Sequence, residues 1–482
     1  MLIKHSFQYL LARGLPGIIN FLALAVYTRL LAPEEFGRYA LVLTGVGLAD
    51  VFLFQWLRLI VDRFLAAQGA DFTRFLGGIA IQFGALAVIV ASLGLLAAFL
   101  WPDPVWQRLL ALAVPLVIVQ AFFELSLIVL KAGLQPGRYG RLLFSKSALA
   151  LGLGALLAWS GLGASAPLLG LLVGQMMAFV FFGVVAWRGI HWHWPDAETR
   201  REQLAYGLPL VLTFALAWVI SGSDRWLIGW LLGAEAVGQY AASYDLGFQS
   251  LTLLLSIINT AAFPLAVRAL ESGGTEKARE QLRHNGELIL AAALGGGVAL
   301  AVLTPAMIGI FIGDSYRDAG MTLFPWVALA AAFSGIKAFH FDIGFHLGKQ
   351  SRWLVAMTSL AAMVNVLLNL LLIPAFGILG AAWATVLAYG TGMLASALVG
   401  HRLFAMPLAW PLLLKGAAIA AMTGAGAATG MATGTSPVSS LFFGLMLGAL
   451  GGALAAYITN LSGMRSLLQS SKVWSFFLSR GK

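Results

Sequence analysis

Apolar stretches long enough to cross a bilayer follow one another along this chain, with only short polar breaks between them. A hydrocarbon core of roughly 30 Å takes about 20 apolar helical residues. Fourteen stretches reach that length: 10–31, 37–60, 76–100, 107–131, 142–160, 166–187, 204–232, 237–264, 286–312, 320–347, 353–374, 378–400, 411–432 and 440–460. The pattern predicts an all-α integral membrane protein of about 14 transmembrane helices. The breaks leave no room between spans for a folded catalytic domain.

Polar positions inside the spans carry the next layer of information, because side chains that face lipid are apolar. Arg13 and Asn20 fall on one face of the first span, and Asp50 and Arg58 on one face of the second. Asp224 and Arg225 lie together in the seventh. The eighth gives the clearest stripe, with Asp245, Gln249, Ser256 and Asn259 recurring at helical spacing. Lys337, His340 and Asp342 belong to the tenth span, and Asn365 and Asn369 to the eleventh. Read structurally, these are interhelical hydrogen bonds worth roughly 0.6 to 2 kcal/mol each. Charges demand more. A lone cation at the bilayer centre costs at least about 2.5 to 3.5 kcal/mol, so Arg13, Arg225 and Lys337 are expected either to be paired or to line a hydrated cavity.

Composition fits this picture: 60% of residues are hydrophobic and 10% charged, where a soluble chain carries about 25% charged residues. The net charge of +10 follows membrane topology rather than nucleic-acid binding. With a cytoplasmic N-terminus, 22 Lys and Arg residues fall at the cytoplasmic breaks and the two ends, against 4 on the opposite side. Both termini are therefore expected in the cytoplasm, and the first stretch is read as a retained helix rather than a signal peptide. There is no cysteine, so no disulfide or thiolate site is available. No P-loop or H-E-x-x-H is present. His191 and His193, in the Trp-rich break at 188–203, have no third metal ligand nearby and read better as part of an interfacial segment.

An internal repeat organises the chain. Leu31-Ala-Pro-Glu-Glu-Phe-Gly-Arg-Tyr-Ala40 returns 201 residues later as Leu232-Gly-Ala-Glu-Ala-Val-Gly-Gln-Tyr-Ala241. Six spans separate the copies, and an even number preserves orientation. Parallel repeats about an axis along the membrane normal are expected, with a cavity between them. This divides the chain into lobes at 1–200 and 201–402, and into a segment 403–482 holding two further helices and a basic amphipathic tail. Gly444, Gly448 and Gly452 form overlapping G-x-x-x-G steps that predict close helix packing there.

The segment Tyr27–Leu41 resembles the signature after the first helix of polysaccharide flippases of the Wzx type, in the multidrug/oligosaccharidyl-lipid/polysaccharide exporter superfamily. Asp224-Arg-Trp-Leu-Ile-Gly-Trp-Leu-Leu-Gly233 with Gly238-Gln-Tyr240 is similar to that family's junction between helices 7 and 8. Gly377-Ile-Leu-Gly-Ala-Ala-Trp-Ala-Thr385 is similar to its twelfth helix. The resemblance implies a MATE-like fold of two pseudo-symmetric six-helix lobes plus two C-terminal helices. It also implies a bacterial inner-membrane carrier, not an enzyme, that moves an isoprenoid diphosphate-linked oligosaccharide to the periplasmic leaflet for surface polysaccharides such as O-antigen or lipopolysaccharide. Its partners would be that substrate, membrane lipid and other polysaccharide assembly proteins, with no nucleic acid and no cofactor. Whether a proton or sodium ion is coupled stays open.

The cations Arg13, Arg225 and Lys337 would meet the diphosphate, and the amides and hydroxyls of the eighth and eleventh spans the sugar. The main alternative is a cation-coupled multidrug exporter of the same fold, for which Asp50, Asp245 and Asp342 would serve. From a different class, the alternative is a non-transporting scaffold or membrane transferase of envelope polysaccharide assembly.

The charge asymmetry makes a direct prediction about topology. Reporter fusions at Gly273 and Ser436 should read cytoplasm and periplasm respectively, and the opposite pattern at either site would overturn the assignment.

Overall fold

The computed structural model describes residues 2–65, 71–404, 406 and 410–465, and among these there is no β-strand. The first seven helices are α1 (Leu2–Leu30), α2 (Pro33–Phe64), α3 (Phe72–Phe99), α4 (Pro104–Ala132), α5 (Pro136–Trp159), α6 (Ser165–Trp187) and α7 (Ala197–Leu232). The helical run Ala234–Val302 breaks at Gly273 and Gly274, the latter at φ 69°, into α8 (234–272) and α9 (275–302). After the short helix Thr304–Phe311 comes α10 (Asp314–Leu347). The run Ser351–Phe404 breaks at Gly377, at φ 61°, into α11 (351–376) and α12 (378–404). The last pair is α13 (Trp410–Thr433) and α14 (Pro437–Ile458).

Thirteen of the predicted spans are each met by one helical arm, and 286–312 is met by α9 followed by the short helix Thr304–Phe311. Among the described residues, ten helices have the length and hydropathy to cross a bilayer when each broken run counts once and α1 and the bent α7 are left aside. The chain is a multi-pass membrane protein.

Local chemistry sets the helix starts. Proline occupies the first turn of α2, α4, α5 and α14, where its missing N–H leaves no hydrogen bond unmade. Asp103 caps α4 by accepting from the Val105 and Trp106 amides at 2.7 and 3.0 Å. Asp196 caps α7, accepting from the Thr199 amide at 2.7 Å and its hydroxyl at 3.1 Å. Those bonds, the backbone one first, hold the Asp196 carboxyl below the usual range.

The chain forms two compact units, Met1–Ala241 and Ala242–Lys482. In the first, Phe54, Leu57 and Ile60 of α2 form a buried core with Leu76, Ile79 and Phe83 of α3 and Leu116 and Phe123 of α4. The linker before α7 is fixed to the start of α3, where the His191 amide donates to the Thr73 carbonyl at 3.2 Å and His193 lies 3.2 Å from Arg74. Trp192 and Trp194 beside them are exposed.

In the second unit, α10 is the most enclosed span. Glu287 of α9 ties down the C-terminal hairpin: it accepts from Lys415 of α13 at 3.0 Å, and from the Ser462 amide and hydroxyl at 2.5 and 3.3 Å. The expected close packing of α13 on α14 is present, since a methyl group on Gly448 would stand 3.2 Å from the Thr423 carbonyl oxygen. The basic tail from residue 466 lies outside the described residues.

The two copies of the repeated motif meet each other. A methyl group added to Gly37 would stand 1.7 Å from the Ala234 carbonyl oxygen, and one added to Gly238 would stand 1.9 Å from that of Pro33. Residue 234 is the repeat equivalent of 33, and 238 of 37. Each partner thus presents to the other the contact it receives, which is the signature of a twofold relation. Only a side chain without Cβ lets the starts of α2 and α8 cross this closely.

This crossing predicts opposite signs for similar substitutions. Gly37→Ala and Gly238→Ala should each destabilise by roughly 1–3 kcal/mol through overpacking. Gly84→Ala in α3, whose methyl meets open space, should be neutral or stabilise by up to about 1 kcal/mol. Thermal unfolding in detergent reads all three, and equal behaviour would show that the crossing is not tight.

Candidate functional site

On α2, Asp50 and Arg58 are both buried and form an ion pair at 2.9 Å. They stand eight residues apart. The long Arg58 stem runs back toward the helix N-terminus, as helical side chains do, and its Nε donates to the Gln55 side-chain oxygen at 2.8 Å on the way. The third guanidinium nitrogen also donates to Gln55. A second pair in the same unit, Glu124 of α4 with Lys146 of α5 at 3.5 Å, has the Lys146 ammonium 5.1 Å from the Phe123 ring centre.

Beside this charged helix lies an apolar cavity of about 770 Å³ between α2, α3, α4 and Trp226 of α7. Val46, Ala49 and Leu53 form its α2 wall. Ala49 directly precedes Asp50, so one helix presents apolar groups to the cavity and a buried ion pair on a neighbouring face. That is the layout an amphiphile with an anionic group would need.

Asp224 is fully buried on α7 and accepts a 2.6 Å hydrogen bond from the Tyr240 hydroxyl. Arg225 next to it is half-buried and points about 100° away around the helix. Tyr240 belongs to the repeated motif, so the motif supplies a partner for a buried acid as well as the glycine crossing. On α8, Asp245 is half-buried and Gln249 exposed. Ser256 returns its hydroxyl to the Leu253 carbonyl at 2.8 Å. Asn259 is half-buried, and its side-chain oxygen has no hydrogen-bond partner among the described residues.

In the second unit Lys337 donates to Asp342 at 2.7 Å, and the other Asp342 oxygen accepts from Ser396 of α12 at 2.8 Å. All three are buried. In a regular α-helix, residues five apart point roughly 140° away from each other. Here Lys337–Phe341 is a π-helical turn, and the Asp342 amide donates to the Lys337 carbonyl. The wider turn brings the two side chains to one side. His340 within it is fully buried and packs against Gly286 of α9, where a methyl group would stand 2.4 Å from the imidazole Cε1. Asn365 and Asn369 of α11 are also fully buried and bond to each other at 3.1 Å.

The structure therefore joins Asp50 with Arg58, Lys337 with Asp342, and Asn365 with Asn369. Asn20 is exposed on α1, and the Arg13 side chain lies outside the described residues. Gln55, Tyr240 and Ser396 emerge as partners that helical spacing did not identify, being set by a long side chain, the helix break at Gly233 and a neighbouring helix respectively.

The Lys337–Asp342 pair makes a stability prediction. Asp342→Ala should cost roughly 3–5 kcal/mol by stranding a buried ammonium, whereas the double replacement Lys337→Met with Asp342→Leu should come close to the parent chain. Unfolding in detergent separates the two, and a double variant as damaged as the single one would contradict the pairing as the main determinant.

Residues 26–320 match the model of the polysaccharide biosynthesis protein family. The chain is 23% identical over 402 residues to the probable low-salt glycan biosynthesis flippase Agl15 of Haloferax volcanii, covering 80% of this chain and 81% of that protein. Its fold is similar to that of the lipid II flippase MurJ in an inward closed conformation, with a TM-score of 0.78 at 13% identity over 96% of this chain and 99% of the other. It is also similar to an inward-facing multidrug resistance MATE family transporter of the MOP superfamily, with a TM-score of 0.65 at 14% identity over 82% and 98% of the two chains. With the family match spanning most of its length, the chain belongs to the polysaccharide biosynthesis protein family and carries the MATE-like fold.

Proposed function

We propose that this chain is a flippase that carries an isoprenoid diphosphate-linked oligosaccharide from the cytoplasmic to the periplasmic leaflet by alternating access. The observation that carries the reading is on α2, where an apolar cavity of about 770 Å³ lies beside the buried Asp50–Arg58 pair. The cavity suits a prenyl chain. Arg58, with its fixed fork of N–H donors, suits a diphosphate that displaces Asp50. Amides and hydroxyls on α8 and α11 suit sugar hydroxyls. Family membership, and the word flippase in the name of the relative from Haloferax volcanii, support the same reading.

On this reading the chain is a carrier rather than an enzyme, sits in a bacterial cytoplasmic membrane with both termini inside, and works through lobes 1–200 and 201–402. The glycan would be a surface polysaccharide repeat of the O-antigen or lipopolysaccharide kind, handed to other assembly proteins. A multidrug exporter would need carboxylates for cationic drugs, and the family match and the relative named a flippase favour the lipid-linked glycan instead.

Inactivation in the host tests the proposal. Loss of the chain should deplete surface polysaccharide and accumulate its lipid-linked repeat in the cytoplasmic leaflet. Complementation by Arg58→Lys should restore part of the surface product, and Arg58→Ala at least about tenfold less, since charge and donors both vanish. Unchanged surface polysaccharide in the null strain would overturn the reading.

A further inference from the structure

The two ion pairs of the first unit belong to one electrostatic neighbourhood. Asp50 is within electrostatic reach of Glu124 and Lys146 as well as of Arg58. The Asp50–Arg58 pair on α2 is enclosed, with side chains 8% and 9% exposed, whereas Glu124 of α4 and Lys146 of α5 are 38% and 18% exposed. The outer pair is open to a ligand where the inner one is shielded.

The pairs are also held differently. Arg58 donates to Asp50 at 2.9 Å and turns its other nitrogens to Gln55. Lys146 stands 3.5 Å from Glu124, beyond the roughly 2.7–2.9 Å of a charge-assisted hydrogen bond. Its ammonium has a second hold, the face of the buried Phe123 ring 5.1 Å away, which remains when the carboxylate is exchanged for another anion. A compact point charge on a flexible stem turns to a new acceptor more freely than a planar fork does.

Charge counting gives this arrangement a use. A diphosphate esterified at both ends carries one negative charge on each phosphate, and Arg58 balances one of them. The other needs a second cation, because an unbalanced charge in a site walled by apolar helices is costly. Besides Arg58, the cation that acts on Asp50 among the described residues is Lys146.

We propose that Lys146 binds the second phosphate of the substrate and that Glu124 competes with the substrate for it, so that the site prefers a diphosphate to a monophosphate. This rests on Arg58 taking the first phosphate. In the unloaded chain Glu124 keeps Lys146 neutralised, and the incoming anion replaces it.

The full chain in phosphatidylcholine nanodiscs, titrated with farnesyl diphosphate esterified to glucose and with farnesyl phosphate esterified to glucose, tests the inference. The parent chain should bind the diphosphate at least about tenfold more tightly. Lys146→Gln should weaken diphosphate binding about tenfold and leave monophosphate binding within about twofold, while Lys146→Arg keeps most of the preference because its charge survives. Glu124→Gln should tighten diphosphate binding at least about threefold, which an ion pair with a structural role alone would not do. With Glu124→Gln and Lys146→Gln combined no charge is stranded, and the preference should still be lost. Weaker diphosphate binding in Glu124→Gln, or an unchanged preference in Lys146→Gln while Arg58→Ala abolishes binding, would overturn the role of Lys146 alone. Unchanged binding in both Arg58→Ala and Lys146→Gln would remove the reading of Arg58 with it.

Discussion

Hydrocarbon offers no water to a charge or to an open backbone group, and the arrangement of this chain follows from that constraint. Backbone groups are satisfied by helix alone, which is why no strand occurs among the described residues. Charges within or beside the spans meet partners: Asp50 with Arg58, Glu124 with Lys146, Glu287 with Lys415 and Lys337 with Asp342. Such pairs are a poor source of stability, because apolar residues of similar volume do as well or better by about 1–4 kcal/mol. Net stabilisation is therefore a weak reason for building Asp50–Arg58 into α2. A guanidinium whose carboxylate a stronger anion can replace is a better one, and it agrees with the role proposed for that helix.

Much of the fold was legible because the bilayer imposes a length on every span. The apolar stretches returned as helical arms, with 286–312 divided between α9 and the short helix Thr304–Phe311, and the glycines between α8 and α9 and between α11 and α12 break the runs between stretches. The repeat was legible too, though its meaning was not. Leu, Glu, Gly, Tyr and Ala recurring 201 residues apart suggested symmetry, but not that Gly37 and Gly238 would each press against the other copy's backbone. That reciprocity is a property of three-dimensional approach, and sequence spacing carries only the register.

The polar site was legible as residues and less so as partners. A regular helical wheel places Lys337 and Asp342 on different faces, and the π-helical turn that unites them left no periodic signal. Ser396 completes that site from 54 residues away. Asp224 finds Tyr240 across the helix break at Gly233, where helical phase is lost. Lys146 counted among the cytoplasmic charges that set topology, and its place beside Glu124 and over the Phe123 ring is a property of the fold.

The account rests on one claim about activity, that the substrate combines a prenyl anchor, a diphosphate and a sugar, and crosses the bilayer as one molecule. Purified chain in liposomes, loaded with a fluorescent polyprenyl diphosphate oligosaccharide and quenched from outside by a membrane-impermeant reductant, measures this directly. The account predicts that label in the inner leaflet becomes reducible at a rate set by the amount of protein, with no comparable movement of a cationic drug. Equal rates with and without protein, or drug movement without lipid movement, would contradict it.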